Sequence, residues 1–187
     1  RQGAAVDRRD ADGVTPLLKA AENDCAGCVQ VLLEWSADAS LGTYANSGAT
    51  PLAICCQGNH FNSLACLLWE NSDELVSIST FNPSIEGELR GGTSAALNLA
   101  DSAMWGATPL FNAVRGGHDA CVHLLLHAKA DVSLTYPGVI SGPGCPLQPT
   151  ILDVALLAGK SGTVPLQADA IQQMRDAGAR SAAEDAA

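Results

Sequence analysis

The sequence predicts an all-α repeat solenoid, built from helix-turn-helix units with long insertions between them. Three observations predict it. A six-residue start recurs as Gly13-Val-Thr-Pro-Leu-Leu, Gly48-Ala-Thr-Pro-Leu-Ala and Gly106-Ala-Thr-Pro-Leu-Phe. Each start opens two short stretches whose apolar residues fall three and four apart, the period of one helical face. The composition is 47% hydrophobic but only 4% aromatic, which suits small helices packed closely.

Each start has a physical reading. Gly permits a turn, Thr caps the helix that follows, and Pro fits its first position. Residues 1–12 come first; Gly3-Ala-Ala-Val-Asp has the register of a loop closing a unit, so this stretch reads as the end of a preceding repeat or as an N-terminal cap. Unit one covers 13–47: a helix with Leu17, Leu18, Ala20 and Ala21, a polar break at Glu22-Asn-Asp, and a second helix burying Cys28, Val29, Leu32 and Leu33. The helices of unit two cover 48–70, with a break at Gly58-Asn-His and a second apolar face of Leu64, Leu67 and Leu68. Unit three covers 106–133, from Leu110, Ala113 and Val114 through Gly116-Gly-His to Cys121, Val122 and Leu124 to Leu126. A weaker start, Thr150-Ile-Leu-Asp-Val-Ala, opens a degenerate unit over 150–179, and 180–187 is a tail.

This pattern resembles the ankyrin repeat, a unit of about 33 residues with two helices and a protruding hairpin loop. Segment 106–132 is the clearest match, and segment 13–39 follows it with Cys25 where the family usually has His. The resemblance implies ankyrin-type repeats with hairpin fingers, no catalysis, and no cofactor or metal. It implies binding of another protein through finger tips and the concave surface of the first helices. Carried over residue by residue, the finger positions are Arg8 and Arg9 before unit one, Tyr44 and Asn46 before unit two, and Trp105 before unit three. The concave positions include Phe111 and Asn112. His60 and His118 fall where the family's imidazole ties neighbouring turns together.

The chain departs from the family in its spacing. The cap threonines Thr15, Thr50, Thr108 and Thr150 lie 35, 58 and 42 residues apart. The longest insertion, within 71–105, holds a β-prone run from Leu75 to Phe81 and the apolar residues Ile78, Phe81, Ile85 and Leu89. These either fold back over the fingers or meet a partner, Phe81 being the candidate contact. Residues 134–149 are a Pro/Gly loop.

Charge and motifs exclude several function classes. With 10 basic and 20 acidic residues the net charge is -10, unsuited to nucleic acid or an anionic membrane. It suits a basic partner surface, or simply solubility. No apolar run is long enough to span a membrane, and the first twelve residues lack a secretory signal's apolar core. Seven irregularly spaced cysteines make a poor disulfide framework and point to the cytoplasm or another reducing compartment, with organelle targeting left open. Cys25-Ala-Gly-Cys28 has the spacing of half a zinc site or a thiol redox pair, but the repeat register reads Cys28 as core, like Cys121. His123 and His127 share a helix face with no acidic or thiol partner nearby and read as solvated surface. No phosphate loop, dinucleotide fingerprint or nucleophile elbow is present. Three roles remain: a protein-binding adaptor or scaffold, a permanent subunit of a large complex, and the regulatory segment of a larger enzyme or channel.

Overall fold

The computed structural model describes residues 5–42, 48–69, 96–100, 106–135, 149–158, 166–181 and 184. These form four helix pairs: α1 (Pro16–Glu22) with α2 (Ala26–Glu34), α3 (Pro51–Gly58) with α4 (Phe61–Leu68), α5 (Pro109–Gly116) with α6 (Asp119–His127), and α7 (Ile151–Ala158) with α8 (Ala168–Asp176). The first helices pack in one row, α1 on α3, α3 on α5 and α5 on α7. The second helices pack in another, α2 on α4, α4 on α6 and α6 on α8. The apolar core runs between the rows, with Leu17, Leu52, Leu110 and Leu152 recurring at one register position.

The repeated start explains where the first helices begin. Gly13, Gly48 and Gly106 adopt φ of 78°, 86° and 78°, a turn conformation that costs a side-chain-bearing residue strain. The buried hydroxyls of Thr15, Thr50 and Thr108 then accept the N–H of Leu18, Ala53 and Phe111 at 3.2, 3.3 and 3.2 Å. Thr150 does the same for Asp153 N–H at 3.3 Å, while Asp153 Oδ2 accepts the Thr150 N–H in return, a reciprocal cap. The second helices end alike. Ser36, Lys129 and Gly178 take positive φ, and each following N–H reaches back, Ala37 to Leu32 O, Ala130 to Leu125 O and Ala179 to Met174 O.

Neighbouring pairs are joined by side chains at the turns. The His60 ring donates from Nδ1 to Ala21 O at 2.8 Å, and His118 donates from Nε2 to Gln57 O at 3.3 Å. Asp24 accepts the Ser63 N–H at 3.1 Å, and Asn59 accepts the Cys121 thiol at 3.5 Å. At the loop edge, Asp38 N–H donates to Asp7 and Asp131 N–H to Asn98, at 3.0 and 2.9 Å. Asn98 therefore stands where Asp7 does, and the repeat register resumes at Ala96 after the longest insertion.

The hairpin fingers expected from the family are not found. Among the described residues no β-strand forms, and the backbone pairing includes only isolated bridges such as Thr135 with Thr150. The loops explain why. Asp10 accepts the N–H of Asp12 and Val14, Asp38 accepts the N–H of Ser40, and Asp131 accepts the N–H of Ser133. Carboxylates thus take amides that a strand ladder would need. The tips at 43–47 and 101–105 lie outside the described residues, as do the β-prone run 75–81 and the Pro/Gly stretch 136–148.

Candidate partner-binding site

The apolar surface that stands out belongs to α2. Val31 is 52% exposed and Trp35 65%, Cys28 is exposed, and Leu32 is half-buried. These residues lie three and four apart and form one stripe. The same positions in α6 are Cys121, Leu124, Leu125 and Ala128, all buried. In α6 the stripe is covered by α4, whereas among the described residues no helix covers α2 on that side. A shallow groove beside the stripe is lined by Pro16, Lys19, Ala20, Asn23, Cys25 and Leu32. Its rim carries the exposed Lys19–Glu22 ion pair at 2.6 Å, and Glu34 lies on the surface of the same helix.

The residues expected to contact a partner fall in three groups. Arg8 is exposed on the loop before α1. Arg9 is half-buried, donating from Nη1 to Gly42 O at 2.7 Å and to Gly13 O at 3.3 Å, so it ties two loops together. Gly42 is needed there, because a Cβ would strike the Gly48 backbone. Tyr44, Asn46, Phe81 and Trp105 lie outside the described residues. Phe111 and Asn112 are only 1% and 4% exposed: α5 is packed on both sides, by α3 and α7, and its interior turns take both side chains. Phe111 is a core aromatic and does not offer the surface anchor expected of it.

Two further expectations change. Cys28 is not core: it is exposed, and its sulfur is bonded to that of Cys25. His123 is not solvated surface, because α8 lies against it. The ring bonds to Gln173 Oε1 and stands 4.0 Å from the Asp169 carboxylate. His127 is exposed and packs on the Trp69 ring, centroids 5.7 Å apart. Among the described residues no group of three or more His, Cys, Asp or Glu is placed to hold a metal ion. Nor, among them, is any helix long and apolar enough to cross a membrane.

Sequence reasoning passed over Val31 and read Trp35, at the end of its helix, as covering a helix edge rather than meeting a partner. The repeat register pairs Val31 with Leu124, and the exposure of Val31 is seen only in the structure.

Two rows of short helices with capped turns, and an exposed apolar stripe on α2, define a helical repeat solenoid. The family models agree. One for ankyrin repeats, three copies, matches residues 2–78, and one for a single ankyrin repeat matches residues 105–136. The chain belongs to the ankyrin-repeat family, whose fold is non-catalytic and serves generally in protein–protein interaction. No curated protein matches it.

Proposed function

We propose that this chain is an adaptor or scaffold segment that holds a partner protein through the exposed apolar stripe of α2. The carrying observation is the exposure of Val31 and Trp35 on a stripe whose equivalent in α6 is a packed interface. The partner is a protein presenting an apolar helix, since a helix is what the same stripe accepts from α4. Basic flanks on that helix would match the net charge of -10 and the acidic Glu22 and Glu34 nearby. Exposed Trp is a frequent hot-spot residue, so Trp35 is the anchor. Arg8 and, on the loops, Tyr44, Asn46, Phe81 and Trp105 are candidates for added contacts. The helix pair α7 and α8 acts as a degenerate final repeat. The setting is the cytoplasm or another reducing compartment, which suits the buried thiols of Cys55, Cys56 and Cys121.

The test is affinity purification of the native protein with crosslinking mass spectrometry, wild type beside Trp35→Ser. Crosslinks from Lys19 to a foreign protein, lost together with that protein in Trp35→Ser, support the reading. Purification of the protein alone, with intramolecular crosslinks only, or undiminished recovery of the partner by Trp35→Ser, sinks it.

A further inference from the structure

Cys25 and Cys28 are the described cysteines that solvent can reach. Cys25 immediately precedes α2, and its carbonyl accepts the Val29 N–H at 2.9 Å. Cys28 lies in the first turn of that helix, 5.3 Å away between Cα atoms, and the two sulfurs are bonded. Cys25 is half-buried and Cys28 exposed, and both line the open groove beside Lys19 and Leu32. The register explains the pair. Cys25 occupies the position of His60 and His118, which reach back to the preceding turn; Cys28 occupies that of Ser63 and Cys121, which the preceding turn covers. Among the described residues neither contact is made in the first repeat, and the two sulfurs meet each other.

The other described cysteines are closed to this chemistry. Cys55, Cys56, Cys66 and Cys121 are buried. Burial pushes the Cys55 and Cys56 thiols well up, and pushes Cys121 up to about 12 with help from the Asp24 carboxylate. A thiol held protonated and shielded does not exchange.

We propose that Cys25 and Cys28 form a reversible dithiol–disulfide couple that exchanges with low-molecular-weight thiols and disulfides of the glutathione class. In the reducing direction, an external thiolate attacks Cys28 Sγ, the exposed sulfur. A new bond forms between the external sulfur and Cys28, the Cys25–Cys28 bond breaks, and its electron pair leaves on Cys25 Sγ. The Cys25 thiolate forms at the positive end of α2, where the first-turn amides favour negative charge. A second external thiolate attacks the external sulfur of the mixed disulfide and releases Cys28 as thiolate. Two small thiols are oxidised to one small disulfide, the protein disulfide is reduced, and the protein thiolates take protons from water according to pH. The reverse sequence, with the small disulfide as oxidant, restores the bond. The exchange needs no opening of the core.

The experiment equilibrates the folded full chain in buffers of graded reduced-to-oxidised glutathione, quenches with acid, alkylates, and reads each cysteine peptide by mass spectrometry. The peptide carrying Cys25 and Cys28 should lose both alkyl groups together as oxidised glutathione rises, and regain both in excess reduced glutathione. Cys25→Ser, shown by melting to be folded, should instead accumulate one glutathione adduct on Cys28, because no second thiol resolves it. A peptide that stays doubly alkylated in excess oxidised glutathione overturns the proposal. So does a bond that survives excess reduced glutathione until the chain is denatured. The readout involves no partner, so it stands or falls separately from the docking proposal.

Discussion

The first and third repeats place the same kinds of residue at the same helical positions and give them opposite fates. Cys28, Val31 and Leu32 on α2 correspond to Cys121, Leu124 and Leu125 on α6. On α6 the stripe is sealed under α4; on α2 it faces outward. The apolar pattern of the two helices does not separate them. In a solenoid, burial is a property of the neighbour, and a helix's own pattern states only which face is able to be buried. The thiols show the chemical consequence, one inert and raised to about 12, the other paired with its neighbour and open to solvent.

The comparison can be broken most severely with Leu124→Ala and Val31→Ala. The former should lose about 2–5 kcal/mol because it empties a filled site. The latter should lose under about 1 kcal/mol, since half the side chain already meets water. Urea denaturation of both variants measures the difference, and equal losses would mean that α2 is covered in solution. Ser36→Gly and Lys129→Gly sharpen it from the other side. Both residues hold positive φ, 62° and 67°, at equivalent helix ends. Each substitution should gain about 0.5–1 kcal/mol by relieving left-handed backbone strain, and the two gains should match. Unequal shifts in thermal midpoint would show that even this local feature depends on the neighbour.

The smallest effect concerns acid. Asp38 and Asp131 are held below the ordinary carboxylate range by hydrogen bonds from Ser40 and Ser133. A depressed folded value means that their contribution is complete above the ordinary carboxylate pKa and is lost as pH falls through the folded value. Asp131→Asn should therefore show a shallower fall in urea midpoint between about pH 6 and about pH 3 than wild type. Asp38→Asn should behave alike, because both carboxylates accept the same pair of hydrogen bonds on equivalent loops. Identical acid profiles for wild type and both variants would remove these turns from the account.

Much of the fold was legible because it is written at fixed local offsets. Thr15, Thr50 and Thr108 cap from three residues away, and His60 and His118 sit at one turn position in each unit. The fingers were misread because Asp10, Asp38 and Asp131 compete locally for strand amides, a detail that family likeness smooths over. The resumed register at Ala96 was hidden because Leu97-Asn98-Leu99 lacks the Ala-Asp signature; only Asn98 accepting from Asp131 reveals it. The candidate site was the least legible part. Phe111 looks like a surface anchor until α7 is placed against α5, and Trp35 reads as covering a helix edge, yet is 65% exposed.

The turn-to-turn bonds, Ala21 to His60 and Gln57 to His118, bear on how the molecule carries load. Tension applied along the stack passes through each seam in series, so the extension is the sum of small tilts and rupture begins at the weakest seam. Partners gripping separate repeats would be joined by a short spring whose stiffness comes from the packed helix rows together with these turn bonds.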